Sequence, residues 1–421
     1  MTPTYFLRTV PQVRDTTLST RERLSATVHN TGNYFFEEAV SRHLSQATTV
    51  WDIEDVPEGA RLVLSMSNFL SPYTDLGWFA ESLEARGVEQ IVMIGAGAQA
   101  DSYAHPVELT AGTRRFVSLL AERSTSIGVR GYFTADVLAR HGIQNVDVIG
   151  CPSIFLLNDR RFAVHQKAHP VGRPRTAVHC TPQGYHRDAV AHLLSFAVAH
   201  ADAYIAQSEP QLLFDEDSAE SLAFFLQYYN DGTYPPEVLG DWLRRHVRWY
   251  FEVDSWVAAR GAFDFSLGSR FHGNMAAILA GVPALNLVFD SRTRELCEYL
   301  NLPYAFLKDF DGRESPAALY AAADYGVFNA TFAGKYDAYR AFLERNGLAH
   351  RLEGDPGGFD DAGGQVRLAN VVELLRSGAA ARLTPVQLAG ELLRRMQPDR
   401  SQHAMKLAEA GRYDLRDDGA R

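Results

Sequence analysis

Ser269, Arg270, Phe271, His272, Gly273 and Asn274 follow one another where an apolar run, 263–267, gives way to a helical pattern from about residue 275. Backbone N–H groups at a helix start lack intrahelical acceptors and carry partial positive charge. A guanidinium and a titratable imidazole two positions apart beside such donors form a place for a phosphate or carboxylate. The plainer alternative is a histidine buried or capping at a turn, with Arg270 in a structural ion pair.

Five further stretches carry residues of the same chemical kind. Asn30, Gly32 and Asn33 stand before a helix, where small and polar residues let a ligand approach closely or merely cap the helix. Gly95, Gly97 and Gln99 lie in I-G-A-G-A-Q-A, which formally satisfies G-x-G-x-x-A. The loop-like D-S-Y-A-H-P that follows lacks the helix a dinucleotide fingerprint needs, so a glycine loop lining a cleft is expected. Arg130 ends an apolar run and precedes Gly131, suiting it to grip an anion bidentately or to form a surface ion pair. Gln207, like His179 and Thr181, closes an apolar run at a position facing ligand in parallel-sheet proteins. Asp290 and Arg292 follow another apolar run at a strand end facing the cleft and are expected to bind substrate, the plainer alternative for Asp290 being a cap of the next helix. Cys151, Cys180 and Cys297 are widely spaced and fit neither a disulfide framework nor a zinc site; Cys151 reads as a buried thiol at a turn fixed by Pro152. No carboxylate cluster suggests a metal.

These residues must be positioned by a sheet. Short apolar runs alternate with helical stretches along most of the 421 residues, the pattern of parallel α/β architecture. In the first half, strands are expected at 24–29, 48–53, 61–65, 90–94, 126–129 and 146–149, with helices at 33–44, 76–85, 109–122 and 135–141. An Arg, His, Pro and Gly-rich segment at 159–175 reads as a linker between a first domain, 1–158, and a second, 176–350. The second domain repeats the alternation, with strands at 176–180, 203–207, 263–267 and 284–288 and helices at 189–200, 220–229 and 236–246. Helices at 317–323 and 332–346 follow, and the remainder, 351–421, carries an acidic glycine-rich loop at 353–364 and a terminal helix at 385–396. The fold class is therefore α/β, with two Rossmann-like domains whose parallel sheets face a cleft. A hydrophobic content of 46% supports large cores, while a formal charge of −10 excludes a general nucleic-acid or acidic-membrane binder. Apolar runs are too short for a membrane span and no secretory leader is seen, so a cytoplasmic protein is expected.

The order of pieces resembles the polysaccharide pyruvyl transferase family. The resemblance rests on N-T-G-N-Y-F-F-E-E-A from Asn30, I-G-A-G-A-Q from Ile94, V-R-G-Y-F-T-A-D-V-L-A-R-H-G-I from Val129, V-I-G-C-P-S from Val148, and S-R-F-H-G-N-M-A-A-I-L-A-G-V-P-A-L from Ser269. It implies two Rossmann-like domains arranged as in GT-B glycosyltransferases, with phosphoenolpyruvate as donor substrate, no cofactor, and a sugar or lipid-linked glycan acceptor of a surface polysaccharide. Arg130 and Arg270 would bind the carboxylate and phosphate, Phe271 would offer its N–H, and His272 would be the general acid or base, with a pKa near neutrality. Homo-oligomerisation is among the expectations. Asn33 stands where an aspartate is frequent in the family, Gly131 where Arg-Asp is common, and Arg292 where a lysine often follows the aspartate. Two other functions share these features: a GT-B-type glycosyltransferase using a nucleotide sugar, and a non-catalytic glycan-binding protein of the same fold.

Overall fold

The computed structural model describes residues 2–10, 19–104, 107–166, 173–181, 186–213 and 218–352. Its first half contains β1 (Thr4–Leu7), α1 (Thr20–Ala26), α2 (Asn33–His43), β2 (Ala47–Val50), β3 (Arg61–Leu64), α3 (Gly77–Ala85), β4 (Gln90–Ala96), α4 (Ala111–Arg123), β5 (Ile127–Val129), α5 (Tyr132–Arg140) and β6 (Val146–Val148). The second half contains β7 (Thr176–His179), α6 (Arg187–His200), β8 (Ala203–Ile205), α7 (Ser218–Tyr229), α8 (Pro236–His246), β9 (Val247–Arg248), α9 (Val253–Arg260), β10 (Phe265–Gly268), α10 (Phe271–Leu279), β11 (Ala284–Val288), α11 (Ser291–Leu300) and β12 (Tyr304–Phe306). Helices α12 (Pro316–Ala322) and α13 (Gly326–Arg345) complete the described chain.

The strands form two six-stranded sheets, in the orders β2-β1-β3-β4-β5-β6 and β12-β11-β10-β7-β8-β9. Every pairing is parallel, as crossover helices require. Central strands such as β4 and β11 are buried on both faces, which explains their near-continuous apolar sequences. Parallel strands in one sheet end on one side, so their C-terminal turns gather there.

Besides β9, α9 and β12, for which no element was expected, three elements differ from the expectations. Residues 24–29 do not form a strand: α1 starts after Ser19, whose side chain accepts the Glu22 N–H while the Glu22 carboxylate accepts the Ser19 N–H. That capping box outweighs the β-branched Thr27 and Val28, and Val28 and His29 take left-handed φ values of 54° and 55° to end the turn. The missing strand is β1, which pairs with both β2 and β3. Helix α10 begins at Phe271 rather than near residue 275, so His272 lies inside its first turn. The expected loop at 353–364 and helix at 385–396 lie outside the described residues.

Helix α13 returns to the first sheet. Arg345 pairs with Asp147 at 2.6 Å, Asn346 exchanges hydrogen bonds with Ser126, and Tyr339 stacks on Phe155 at 5.0 Å. His43, neutral because burial pushes its pKa down to about 4, meets the Tyr339 hydroxyl at 3.1 Å. Among the described residues no helix is long and apolar enough to cross a membrane.

Candidate anion site between the sheets

Arg130 follows β5 directly. Its N–H binds the Ala96 carbonyl and its Nε donates to the Gly95 carbonyl, both at 2.9 Å. Gly95 can turn its carbonyl this way because its φ is +82°, at the point where the β4–β5 register shifts. A side chain at Gly97 would strike the Ser67 carbonyl and crowd Arg130. The two glycines therefore cradle an arginine, and no helix follows them until α4. Arg130 is only 3% exposed, and no carboxylate pairs with it among the described residues. Burial, and then the Arg292 guanidinium, work against its charge. An arginine stays protonated regardless, so this cation is left wanting an anion.

The β10–α10 turn supplies the facing wall. His179, at the end of β7, accepts the Arg270 N–H on Nδ1 at 3.3 Å and meets Asn274 Oδ1 through Nε2 at 3.0 Å. Burial, followed by the Arg260 cation, pushes the His179 pKa down to about 3, so the ring is neutral with its hydrogen on Nε2. Asn274 spends its amide hydrogens on Gly268 and Asn286, and Ser266, held by Arg260, donates to its oxygen. Gly268 and Gly273 leave the room this ring occupies. With the Arg270 N–H taken, the free donors of the first turn are those of Phe271, His272 and Gly273, ahead of the first intrahelical bond from Asn274 N–H to the Arg270 carbonyl. The Arg270 side chain is steadied by the Cys180 carbonyl at 3.0 Å and by the Ser208 hydroxyl. Ser269 receives the Thr181 N–H on its hydroxyl at 2.8 Å.

His272 lies where the halves meet. Its ring stacks on Phe35 at 5.8 Å and lies 5.9 Å from Phe36, both on α2 of the first half. Its Nε2 is 3.7 Å from the Cys151 sulfur. Gly32 is the contact point from the first half, since an added Cβ would stand 3.0 Å from Gln207 Oε1 and 3.2 Å from His272 Cβ. Burial, reinforced by Arg130 and Arg292, holds the imidazole well below its usual pKa. The expectation of a pKa near neutrality is thus corrected for the ligand-free protein: the desolvated ring between two cations is neutral.

These side chains line one cleft whose empty space, open solvent included, is about 480 Å³. It brings together Arg130, Ser269, Arg270, Phe271 and His272 with Asn30, Asn33, Gln207 and Arg292. The other expected residues serve it from behind or stand apart. Asn274 is the buried hub beneath the turn, Gly95 and Gly97 hold Arg130, and Gly32 lets the halves approach. Gln99 pairs with Asn68 outside the cavity. Asp290 caps α11 and holds Arg292 at 3.3 Å. Thr181, expected at a ligand-facing strand end, lines the cavity too, as do Ser67, Thr293 and Leu296, which were not singled out as ligands. Gln207 is aimed by Glu209, which accepts the N–H groups of Gln207 and Ser208 at 2.7 Å, and its Nε2 is buried without a protein partner. Among the described residues no group of three or more His, Cys, Asp or Glu is placed to hold a metal ion.

Two parallel sheets meeting at a cleft lined by three arginines and a neutral histidine define an α/β protein with a candidate anion site between its sheets. The polysaccharide pyruvyl transferase family model matches residues 30–291, which include Arg130, Arg270 and His272 and end one residue before Arg292, and the chain belongs to that family. Solved structures of similar fold include an uncharacterised protein from Klebsiella pneumoniae (10% identity, 64% of this chain and 84% of that one, TM-score 0.35). A glycosylation-associated protein complex from Streptococcus agalactiae (8% identity, 70% and 53%, TM-score 0.35) and a UDP-N-acetylglucosamine 2-epimerase (13% identity, 86% and 80%, TM-score 0.34) are others. No curated protein matches the chain significantly.

Proposed function

We propose that the protein transfers the carboxyvinyl unit of phosphoenolpyruvate to two hydroxyls of a sugar in a surface-polysaccharide precursor, leaving a pyruvate ketal. The observation that carries this reading is the convergence of Arg130 and Arg270, from different sheets, on one cavity with His272 between the halves. Phosphoenolpyruvate has two anionic groups, and two unpaired guanidiniums on opposite walls match them better than a single cluster would.

The reaction balances without an external reagent. A proton added to the methylene carbon turns C2 into an oxocarbenium-like centre, which the first hydroxyl attacks. The C2–O bond to phosphate breaks, the second hydroxyl closes the ring, and the two hydroxyl protons account for the one gained by carbon and the one leaving with phosphate. His272 is the proton carrier. It is neutral in the free protein, and the charges of the bound donor offset Arg130 and Arg292 and raise its pKa toward the working range, where the protonated ring serves as acid toward the methylene carbon. The arginines and the first-turn N–H groups stabilise the leaving phosphate.

Phosphate release from phosphoenolpyruvate in the presence of glycan acceptors, with an acid-labile ketal in the product by mass spectrometry, tests the proposal. Thermal stabilisation by a nucleoside diphosphate with none by phosphoenolpyruvate would replace it with nucleotide-sugar chemistry.

A further inference from the structure

The thiol of Cys151 occupies one nitrogen of His272, and it comes from the opposite half of the protein. Gly150, at φ +76°, turns the chain off β6 against Tyr299, and Pro152 starts a short 3-10 turn that leaves Cys151 extended and fully buried. Ser153, also fully buried, donates its hydroxyl hydrogen to the Cys151 sulfur at 3.0 Å. On the far side of that sulfur stands His272 Nε2 at 3.7 Å.

We infer that Ser153 and Cys151 are positioning residues that fix the tautomer of His272, with Ser153 O–H donating to sulfur, the thiol hydrogen donating to Nε2, and the imidazole hydrogen carried on Nδ1. The direction follows from counting donors. Sulfur has one hydrogen and already accepts one from Ser153. The charged neighbour, Arg130, is a donor and offers the thiol no acceptor. If Nε2 carried the hydrogen instead, both contacts on the sulfur would be donors and the thiol hydrogen would have no acceptor among them. A ring kept neutral by burial has a single N–H, and Nδ1 has no protein partner among the described residues. Nδ1–H is therefore what the ring offers a bound anion, and Phe35, stacked at an interplanar angle of 7°, restrains it from rotating away. A thiol is a weak donor, but it needs to bias only a choice between two tautomers.

The assignment rests on the reading of His272 as the proton carrier for its catalytic meaning, yet it can be measured without substrate. The full chain labelled with 15N-histidine, free of ligand near pH 7.5, should show the His272 resonances, identified by their loss in His272→Gln, in the Nδ1–H pattern. In Cys151→Ala the signal should move to the Nε2–H pattern or an average of the two, and Cys151→Ser should restore it. Turnover of phosphoenolpyruvate should fall on the order of 10-fold or more in Cys151→Ala through kcat, with KM little changed, and recover in Cys151→Ser. An Nε2–H pattern in the unaltered protein, or one unmoved by Cys151→Ala, overturns the inference. A tautomer that shifts as described while turnover does not change upholds it and overturns instead the role given to His272.

Discussion

The carboxylate of Glu295 accepts the Thr134 N–H at 2.9 Å and the Thr134 hydroxyl at 2.6 Å, so a residue on α11 of the second half caps helix α5 of the first. Gly131, at the N-cap, has no side chain to do this, and one placed there would collide with Glu295. The residue just before that cap is Arg130. The contact thus ties the orientation of the anion-binding arginine to the docking of the other half.

Burial raises the Glu295 pKa to about 7. In the unfolded chain this carboxyl ionises near its ordinary 4.5, so between those values the native state holds the extra proton. Its contribution to stability is complete below the unfolded value and is lost as pH rises through the folded one, with a slope approaching ~1.4 kcal/mol per pH unit inside the window. Buried neutral histidines such as His43 and His179 act in the opposite sense, losing stability as pH falls. The difference between the unaltered protein and Glu295→Gln isolates the carboxyl: the variant should gain relative stability from pH 5 to pH 8 in denaturant titrations. Parallel stability–pH curves for the two proteins would show that this carboxyl does not hold the proton.

Arg130 predicts an unusual pairing of effects. A buried cation without a carboxylate costs stability until an anion arrives. Arg130→Met should therefore leave the ligand-free protein about as stable as before, within ~1 kcal/mol, since the lost Gly95 hydrogen bond offsets the relief of a desolvated charge. It should also abolish stabilisation by phosphoenolpyruvate, which at 100-fold over Kd amounts to about 2.7 kcal/mol in the unaltered protein. Differential scanning with and without the ligand reads both; an anion-induced shift that survives the substitution would remove Arg130 from the site.

Much of this frame was legible before any coordinates. Apolar runs such as 90–94 and 284–288 sit on both-face-buried strands, where sequence and packing agree, and the rule that ligands gather at parallel strand ends placed Arg130 and Arg270 on one cleft. Tyr5, Phe6 and Leu7 were too brief a run to announce the strand that joins β2 to β3, while the Ser19–Glu22 capping box was a local signal that the β-branched residues after it obscured. The supporting contacts were out of reach in principle. His179 and Asn274 are 95 residues apart and Glu295 and Thr134 are 161 apart, so nothing local in the chain marks them as partners. The depressed pKa of His272 is similarly a product of burial and of two arginines from distant segments, not of its neighbours in sequence.

His272 itself separates chemistry from folding. Its ring is packed against Phe35 and Phe36, so His272→Gln, which keeps bulk and hydrogen-bonding capacity, should retain the fold and shift Tm by only a few degrees. Turnover on the true acceptor should fall ~10²–10⁴-fold, the range for loss of a positioned acid–base group. Binding of phosphoenolpyruvate, carried by the arginines, should change far less. Equal turnover in the variant would show that the proton travels by another route.

Gly273 gives the test in which local propensity and tertiary packing predict opposite signs. It lies in the first turn of α10, where Gly→Ala would be expected to stabilise an isolated helix by about 0.8–1 kcal/mol. In this fold the added methyl would stand 2.7 Å from Gln207 Nε2 and 2.8 Å from His179 Nε2. The Gln207 amide ends a flexible side chain and can give way, but His179 cannot, fixed as it is by Arg270 and Asn274. Overpacking of this kind costs ~1–3 kcal/mol, so Gly273→Ala should be destabilising on balance. Because the displaced side chains support Arg270 and line the cavity, the variant should also bind phosphoenolpyruvate more weakly. Gly334→Ala, in the middle of α13 where an added Cβ meets nothing within 4 Å, is the control and should be neutral or stabilising. Denaturant unfolding of the two variants decides the matter: equal stabilisation of both would mean that the space at Gly273 is not the constraint on which the anion-binding turn is built.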